Sequence, residues 1–325
     1  MRAVVYREPG DPGVLQVDDV PKPEPGPGEL LVRNFATALN RADLLQRRGL
    51  YPPPRGASDI LGLEFAGEVA QVGPEVTGFE RGQPVFGLVP GGGYAEFLTV
   101  DHRLALPVPE NLSYDAAAAV PEAFYVAYDA LYSLGHLPPD GSALVHAGAS
   151  GVGTAAIQLV RAFGGQVMAT AGSSEKVERC LALGAACAVN YRNEDFAARV
   201  AEWTSSRGVD VVLDLVGARH VEGSLNSLRR GGRLVVVGLV GGSRAEVDLG
   251  LLLRQRLTVI GTVMRSRPLE ERVQVTRDFR DKVLPHLVVG RIEPVIDRVL
   301  PLEEAAKAHE CMEANENVGK IVLRM

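Results

Sequence analysis

The sequence predicts an α/β protein in which a parallel, doubly wound sheet is joined to a β-rich domain. Three observations predict it: strict strand and helix alternation from SALVHA to LTVIGTVM, a glycine loop between the first strand and first helix of that alternation, and a Pro/Gly-punctuated series of short strands in the first third of the chain. At 325 residues the chain exceeds what one hydrophobic core supports. Two domains are expected, one over 1–122 completed by 267–325, the other over 123–266.

The first third reads RAVVYR, LQVDDV, LLVRNFATAL, FAGEVAQVG and QPVFGLV, strand-like pieces separated by turn clusters such as PKPEPGPGE. From about Tyr114 the texture changes to helix formers, AAAAVPEAFYVAYDAL. SALVHA is then a buried-strand run, and TAAIQLVRAFG repeats its apolar residues at helical spacing. QVMATA, SSEKVERCLALG, CAVNY, VDVVLDLVG, RLVVVGLVGG and LTVIGTVM continue the alternation, giving six strands of a parallel sheet. After Pro268 one long amphipathic helix is expected through LEERVQVTRDFRDKVLPHL. Strand, helix and strand signals then run to the end and return to the first domain.

A formal charge of -6 offers no basic field to a nucleic-acid backbone, so a small molecule is the expected partner. Cys180, Cys187 and Cys311 lack CxxC spacing, which points away from disulfides and thiolate clusters and toward a reducing, cytoplasmic location. The histidines show no HxH or HExxH spacing. MRAVVYREPG lacks a basic stretch followed by an apolar one, and no apolar run approaches the roughly 18 residues that span a bilayer. No membrane association is expected.

In His146-Ala-Gly-Ala-Ser-Gly-Val-Gly153 the glycines fall at 148, 151 and 153, between an apolar strand and an apolar helix. A dinucleotide pyrophosphate needs backbone N–H groups at a helix N-terminus and an approach free of side chains. Gly148, Gly151, Val152 and Gly153, with the Ser150 hydroxyl, are expected to supply both. The spacing is GxxGxG rather than GxGxxG, and a purely steric strand-to-helix turn would look alike; the six-strand context makes it a Rossmann cofactor loop. Where an acid would grip the ribose 2′-OH of NAD, the sequence is Ala171-Gly-Ser-Ser-Glu-Lys176. Gly172, Ser173 and Lys176 suit the 2′-phosphate of NADPH, which needs donors and positive charge. Ser173 reads equally as a helix cap, and Lys176 as a solvated surface charge.

LGLEFAGEV, GGGYAEFLTV, PEAFYVAYDAL, HAGASGVGTAAIQL and NVGKIVL together resemble the zinc-free quinone oxidoreductases related to zeta-crystallin, in the medium-chain dehydrogenase/reductase superfamily. The similarity covers essentially the whole chain. QRRGLYPPPRGASDILGLE and MEANENVGKIVL resemble the tumour-suppressor-inducible branch of that group. The resemblance implies a GroES-like catalytic domain at the N-terminus, completed by the C-terminal segment, around an inserted Rossmann domain. It implies NADPH as cofactor, with Ser173, Lys176 and Tyr191 around its 2′-phosphate, Asn40 near the nicotinamide and Tyr51 at the substrate. It adds Gly238, Leu239 and Gly241 after the fifth strand, Met264 and Ser266 after the sixth, and Asn317 and Lys320 closing over the pocket. As residues alone, Asn40 reads equally as a turn residue, Tyr51 as packing beside prolines, and Gly238 and Gly241 as strand-end turns.

Zinc-dependent relatives have cysteine where Asn40 stands and histidine where Leu63 stands, and Glu64 alone cannot supply the three ligands of catalytic zinc. No metal is expected. Without a Lewis acid, alcohol oxidation loses its electrophile, whereas a quinone accepts electrons readily. The expected activity is NADPH-dependent quinone reduction, by one electron to a semiquinone radical or by hydride transfer. The alternatives are an NADPH-dependent enoyl-thioester or alkenal reductase, with Tyr51 as proton donor, and a non-catalytic NADPH-binding protein. LTVIGTVM reads as a final sheet strand with one edge unpaired, which a second copy would cover, so a homodimer is expected.

Overall fold

The computed structural model describes residues 1–325 and falls into two units: Met1–Glu122 with Met264–Gly290 and Pro294–Met325, and Ala123–Val263 with Arg291–Glu293. The chain re-enters the first unit at Met264, earlier than the expected residue 267, so Met264 and Ser266 lie in the first unit rather than in the nucleotide-binding one. Conversely, residues 291–293 belong to the second unit, where the Gln158 side chain pairs with the Glu293 backbone through N–H to O contacts of 2.9 and 3.0 Å.

In chain order the strands are β1 (Arg2–Val5), β2 (Gln16–Asp19), β3 (Glu29–Ala38), β4 (Glu64–Val72), β5 (Pro84–Leu88), β6 (Phe97–Asp101), β7 (Ala105–Pro107), β8 (Ser142–Val145), β9 (Gln166–Ala171), β10 (Cys187–Asn190), β11 (Val209–Asp214), β12 (Leu228–Val236), β13 (Thr258–Gly261), β14 (Ile296–Pro301) and β15 (Lys320–Arg324). The helices are α1 (Arg41–Arg47), α2 (Tyr114–Ala118), α3 (Pro121–Tyr128), α4 (Gly151–Ala162), α5 (Ser174–Ala182), α6 (Phe196–Trp203), α7 (Val221–Ser227), α8 (Leu249–Gln255), α9 (Leu269–Lys282), α10 (Leu284–Val288) and α11 (Ala305–Glu313).

The first unit is built on the sheet β14-β15-β3-β4-β5-β7, with β6 also paired to β3. Its long strand β3 alternates inward Leu30, Val32 and Asn34 with Arg33 and Phe35, the pattern of a sheet with one dry face. Antiparallel pairing of β15 with β3, Val322 opposite Ala38, brings the C-terminal segment onto that strand. The segment after Pro268 is not one helix. It breaks at Val283 between α9 and α10, because Pro285 in the first turn of α10 has no N–H to continue the α9 ladder.

The second unit contains six parallel strands in the order β10-β9-β8-β11-β12-β13. The order reverses beside β8, where the chain leaves for β9 on one side and later returns as β11 on the other. In sheets of this kind, ligands bind at the carboxyl ends of the strands beside such a switch point. Leu144, Met168, Val212 and Leu234 from four of these strands form one core, which is why the strands read as unbroken apolar runs rather than alternating ones. β13 forms one edge of the sheet, with Val259 half exposed.

Candidate functional site

The glycine loop leaves β8 at the switch point and enters α4. Ser150 caps α4: its Oγ accepts the Gly153 N–H at 3.0 Å, while the Gly148 N–H is spent on Thr170 O at 2.8 Å. The amides of Gly151 and Val152, in the first turn, have no intrahelical acceptor and are the donors left for an anion. The glycines here have distinct duties. A Cβ on Gly153 would lie 2.3 Å from Ala147 O and 2.7 Å from the Gly148 backbone, so the loop closes only around a glycine. A Cβ on Gly148 would meet Ala169 Cβ at 2.8 Å and Cys180 Sγ at 2.9 Å, so Gly148 lets the loop settle on β9 and α5.

At the end of β9, Ser173 caps α5 by accepting the Lys176 N–H at 3.3 Å. The capping reading therefore holds for Ser173 whatever else its hydroxyl does. Tyr191 lies against Gly172, whose Cβ would come within 2.9 Å of the phenol oxygen. Beyond Tyr191 opens a cavity of 460 Å³ lined by Tyr191, Arg192, Phe196, Arg219 and His220, with Glu194 and Asp195. The turn that leads into Arg219 and His220 is held by Asp214, whose Oδ1 accepts from the Val216 and Gly217 amides at 2.7 and 2.9 Å. Gly238 and Gly241 zip onto this same turn, with the Gly241 N–H on Val216 O at 2.7 Å, and Leu239 is left exposed. The structure thus gathers Gly148 to Gly153, Gly172, Ser173, Lys176, Tyr191, Gly238, Leu239 and Gly241 in the second unit, around the carboxyl ends of β8, β9, β10 and β12.

The other predicted residues belong to the first unit. Three strands deliver a polar cluster: Asn40 just after β3, Glu64 at the start of β4 and Lys320 at the start of β15. The Lys320 ammonium donates to Leu39 O at 2.7 Å and Asn40 Oδ1 at 2.6 Å, and is 2.7 Å from Glu64 Oε1. Asn40 Nδ2 donates to the same Glu64 oxygen at 2.8 Å, and the Glu122 N–H donates to Glu64 Oε2 at 2.8 Å. The ammonium thus makes two hydrogen bonds and one ion pair, and Lys320 is 4 % exposed. Lys320, expected to close over the pocket, is buried here against Asn40 and Glu64, which it holds in place. Asn317 is likewise turned inward, its Nδ2 donating to Gly319 O at 2.7 Å.

Asn40 is fixed from a second side. It caps α1, and its N–H donates to Asp43 Oδ2 at 2.8 Å; Asp43 Oδ1 takes the Gly62 N–H at 3.1 Å. Burial pushes the Asp43 carboxyl up to about 6, against the pull of those amides. Asp43 also accepts from the Tyr94 hydroxyl at 3.4 Å, which lies 3.2 Å from His309 Nε2, and His309 Nδ1 lies 3.1 Å from the Arg47 guanidinium. Burial, then Arg47, holds His309 down to about 3, so the imidazole is neutral and accepts from Arg47 on one side while donating to Tyr94 on the other.

Tyr51 is half-buried under Arg265, whose guanidinium sits 5.5 Å from the ring centroid. Arg265 is anchored by Pro90 O and Gln46 Oε1, each at 2.6 Å. Burial first, then Glu122, raises the Tyr51 hydroxyl, so it is protonated at neutral pH. Although Glu122 as a residue is partly accessible, burial of its carboxyl first and the Glu64 charge second push it up to about 8. Of the two neighbours predicted beside Arg265, Met264 is buried in the first unit and Ser266 is exposed.

The residues do not fit a catalytic zinc. No group of three His, Cys, Asp or Glu side chains is placed to hold a metal ion, and the one carboxylate at the position, Glu64, already carries the Lys320 ammonium. Sequence reasoning missed Lys320 in this role, together with Glu122, Asp43 and Arg265. Only the charges of Lys320 and Glu64 stood out as candidates, and nothing in one dimension pairs residues so far apart.

Residues 151–280 match the zinc-binding dehydrogenase family, and residues 26–110 match the alcohol dehydrogenase GroES-like domain. Rat quinone oxidoreductase is 31 % identical over 99 % of this chain and 97 % of its own length. A mycocerosic acid synthase-like polyketide synthase of Mycobacterium tuberculosis is 35 % identical over 98 % of this chain, which spans only 15 % of that relative's length. Among solved structures, Escherichia coli quinone oxidoreductase complexed with NADPH superposes with a TM-score of 0.90 at 30 % identity, covering 100 % of both chains. An NAD-dependent alcohol dehydrogenase superposes at 0.89 with 35 % identity, again over 100 % of both. A Rossmann unit with its glycine loop, a GroES-like unit and these relatives agree: the chain belongs to the medium-chain dehydrogenase/reductase superfamily, with quinone oxidoreductases among its homologues.

Proposed function

We propose that the protein is a metal-independent, NADPH-dependent reductase of quinones. The observation that carries this reading is the Lys320 ammonium filling a three-oxygen position at Asn40 and Glu64, where a zinc-dependent relative would need its metal. A buried ammonium already engaged by three oxygens does not offer a substrate oxygen the open coordination position of a metal site. The acceptor must therefore be electron-poor already, which favours a quinone over a simple alcohol or ketone.

NADPH, when bound, supplies the reducing equivalents. The free amides of Gly151 and Val152 would hold its pyrophosphate, and Ser173, Lys176 and Tyr191 its 2′-phosphate. Asn40 is held rigid by Lys320 and Asp43, so its role is orientation without movement. Tyr51 and Glu122 are both protonated at neutral pH, and either can give a proton to a developing oxyanion.

The polyketide synthase relative favours a second reading, reduction of enoyl thioesters, in which the same proton goes to carbon. The deciding assay follows NADPH consumption with an ortho-quinone and with a crotonyl thioester side by side, on protein stripped by a chelator and analysed for zinc. Quinone turnover that survives chelation supports the proposal. Turnover of the thioester alone, or one zinc per chain with chelator-sensitive activity, overturns it.

We also propose a homodimer through β13. That strand is the sheet edge, and Val259 and Val263, with Leu249 and Leu253 nearby in sequence, leave apolar side chains exposed. No helix of the structure is long and apolar enough to cross a membrane.

A further inference from the structure

The cavity beyond Tyr191 has one wall whose hydrogen-bonding sense is dictated from behind. His146 follows β8 and is fully buried, with Nε2 at 2.9 Å from Ser224 Oγ and Nδ1 at 3.0 Å from Thr170 Oγ1. The Ser224 hydroxyl donates its only hydrogen to His220 O at 2.7 Å, so it can offer His146 nothing but a lone pair. His146 must therefore donate from Nε2. Burial keeps it neutral, which leaves Nδ1 as a lone pair.

His220 Nδ1 lies 3.3 Å from that lone pair. Two facing lone pairs would repel, so His220 carries its proton on Nδ1 and points it at His146. A neutral imidazole has one N–H, and His220, held below its ordinary value by burial first and Arg219 second, is neutral at pH 7. Its Nε2 is then an acceptor. Although His220 is 96 % buried, that nitrogen has no partner within the chain and is not among the buried, unsatisfied atoms, so it opens into the cavity it lines. The side chain does not cap α7 either.

The cavity itself suits a flat, partly polar ring. The rings of Tyr191 and Phe196 stand 5.3 and 5.1 Å from that of His220, and the volume of 460 Å³ lies within the roughly 300–1,000 Å³ of small-molecule pockets. It begins at Tyr191, which packs on Gly172 next to the start of α5.

We propose that His220 selects the base of the bound dinucleotide, its Nε2 accepting a hydrogen bond from the exocyclic amino group of a 6-aminopurine. The inference rests on the nucleotide-binding reading of the second unit and adds a specificity-determining residue to it. A 6-oxopurine places a carbonyl oxygen at the same corner, where lone pair meets lone pair. His146, Ser224 and Thr170 do not touch the ligand; they fix the tautomer.

The test compares dissociation constants for NADPH and its hypoxanthine counterpart, by fluorescence titration of the full chain and of His220→Phe. The phenyl ring keeps the packing against Tyr191 and Phe196, and the Thr170 hydroxyl remains within 3.0 Å to serve His146 Nδ1. The wild type is expected to bind the adenine form about tenfold more tightly, because a buried acceptor is left unpaired by the other base. His220→Phe is expected to bring the ratio near one by weakening the adenine form. Equal binding of both by the wild type, or an unchanged ratio in the variant, overturns the proposal while leaving nucleotide binding intact; binding of neither overturns the nucleotide reading and this with it. Nitrogen-15 NMR of the wild type gives an independent measure: a His220 proton on Nδ1 supports the relay, and a proton on Nε2 refutes it.

Discussion

Replacing Lys320 with Met keeps the length of the side chain and removes the cation on which Asn40 and Glu64 depend. Lys320 is 4 % exposed and Glu64 is fully buried, so the variant leaves a carboxylate in the interior with only the Asn40 and Glu122 N–H groups to solvate it. Removing one partner of a buried ion pair costs about 3–5 kcal/mol. Stranding Leu39 O and Asn40 Oδ1 falls within the same figure if either finds a water. We expect a loss of about 4 kcal/mol in Lys320→Met, and in the double variant with Glu64→Gln a recovery of about 2 kcal/mol, since the stranded charge is gone. Urea unfolding followed by circular dichroism is the appropriate assay. The single tryptophan, Trp203, sits in α6 of the other unit and would report that unit instead. A loss below about 1 kcal/mol, or a double variant no more stable than Lys320→Met alone, would show that the ammonium is not neutralising Glu64.

Gly153→Ala should abolish tight NADPH binding, because its Cβ would lie 2.3 Å from a backbone carbonyl that closes the loop; an unchanged dissociation constant would refute the steric reading. Lys176→Ala should weaken NADPH at least about tenfold relative to NADH, a difference of about 1.4 kcal/mol, and a parallel loss for both would remove its assigned role. Glu122, raised from 4.5 to about 8, binds its proton more tightly folded than unfolded. Its contribution to stability is therefore complete at low pH and is lost as pH rises through about 8, so the midpoint of thermal unfolding should fall across that window and fall less in Glu122→Gln. Equal slopes in the two proteins would exclude Glu122 as the cause. A homodimer should scatter light as about twice the 34.7 kDa chain, and Val259→Pro should dissociate it. Val259 is chosen because its N–H faces the free edge, whereas the Thr262 N–H, three residues on, bonds Val236 O inside the sheet.

How much of this was legible in the sequence depended on whether the signal was local. The six-strand alternation, the glycine loop and the cap at Ser173 are carried by neighbours in the chain, and each sits where the pattern placed it. The break at Val283 was also local, since Pro285 stood in the expected helix; the amphipathic spacing on both sides of it concealed the stop. The early return at Met264 was not, because Arg265 is drawn into the first unit by Gln46 and Pro90, far upstream. Tyr51, within QRRGLYPPPRG, lies under the same Arg265, a partner 214 residues away.

The candidate site was legible as a set of residue types and illegible as a set of relationships. Asn40 and Lys320 were each expected at the cofactor, and the structure adds that they bond to each other at 2.6 Å, a relationship 280 residues apart in the chain. Burial separates their places: Lys320 is 4 % exposed among three oxygens, whereas Asn40 is half-buried. Hydrogen counting gives His220 an outward acceptor, which no spacing rule could have indicated because its direction is set by a serine hydroxyl and a histidine 74 residues away. In both units the proposed contact groups, Asn40 and His220, are held by more deeply buried side chains, Lys320 and His146. A substitution in the supporting layer, Lys320 or His146, should therefore act on binding and rate only through the residue it holds, and rescue by a conservative change there, Lys320→Arg or His146→Gln, should be poor, because neither replacement has donors and acceptors in the same places.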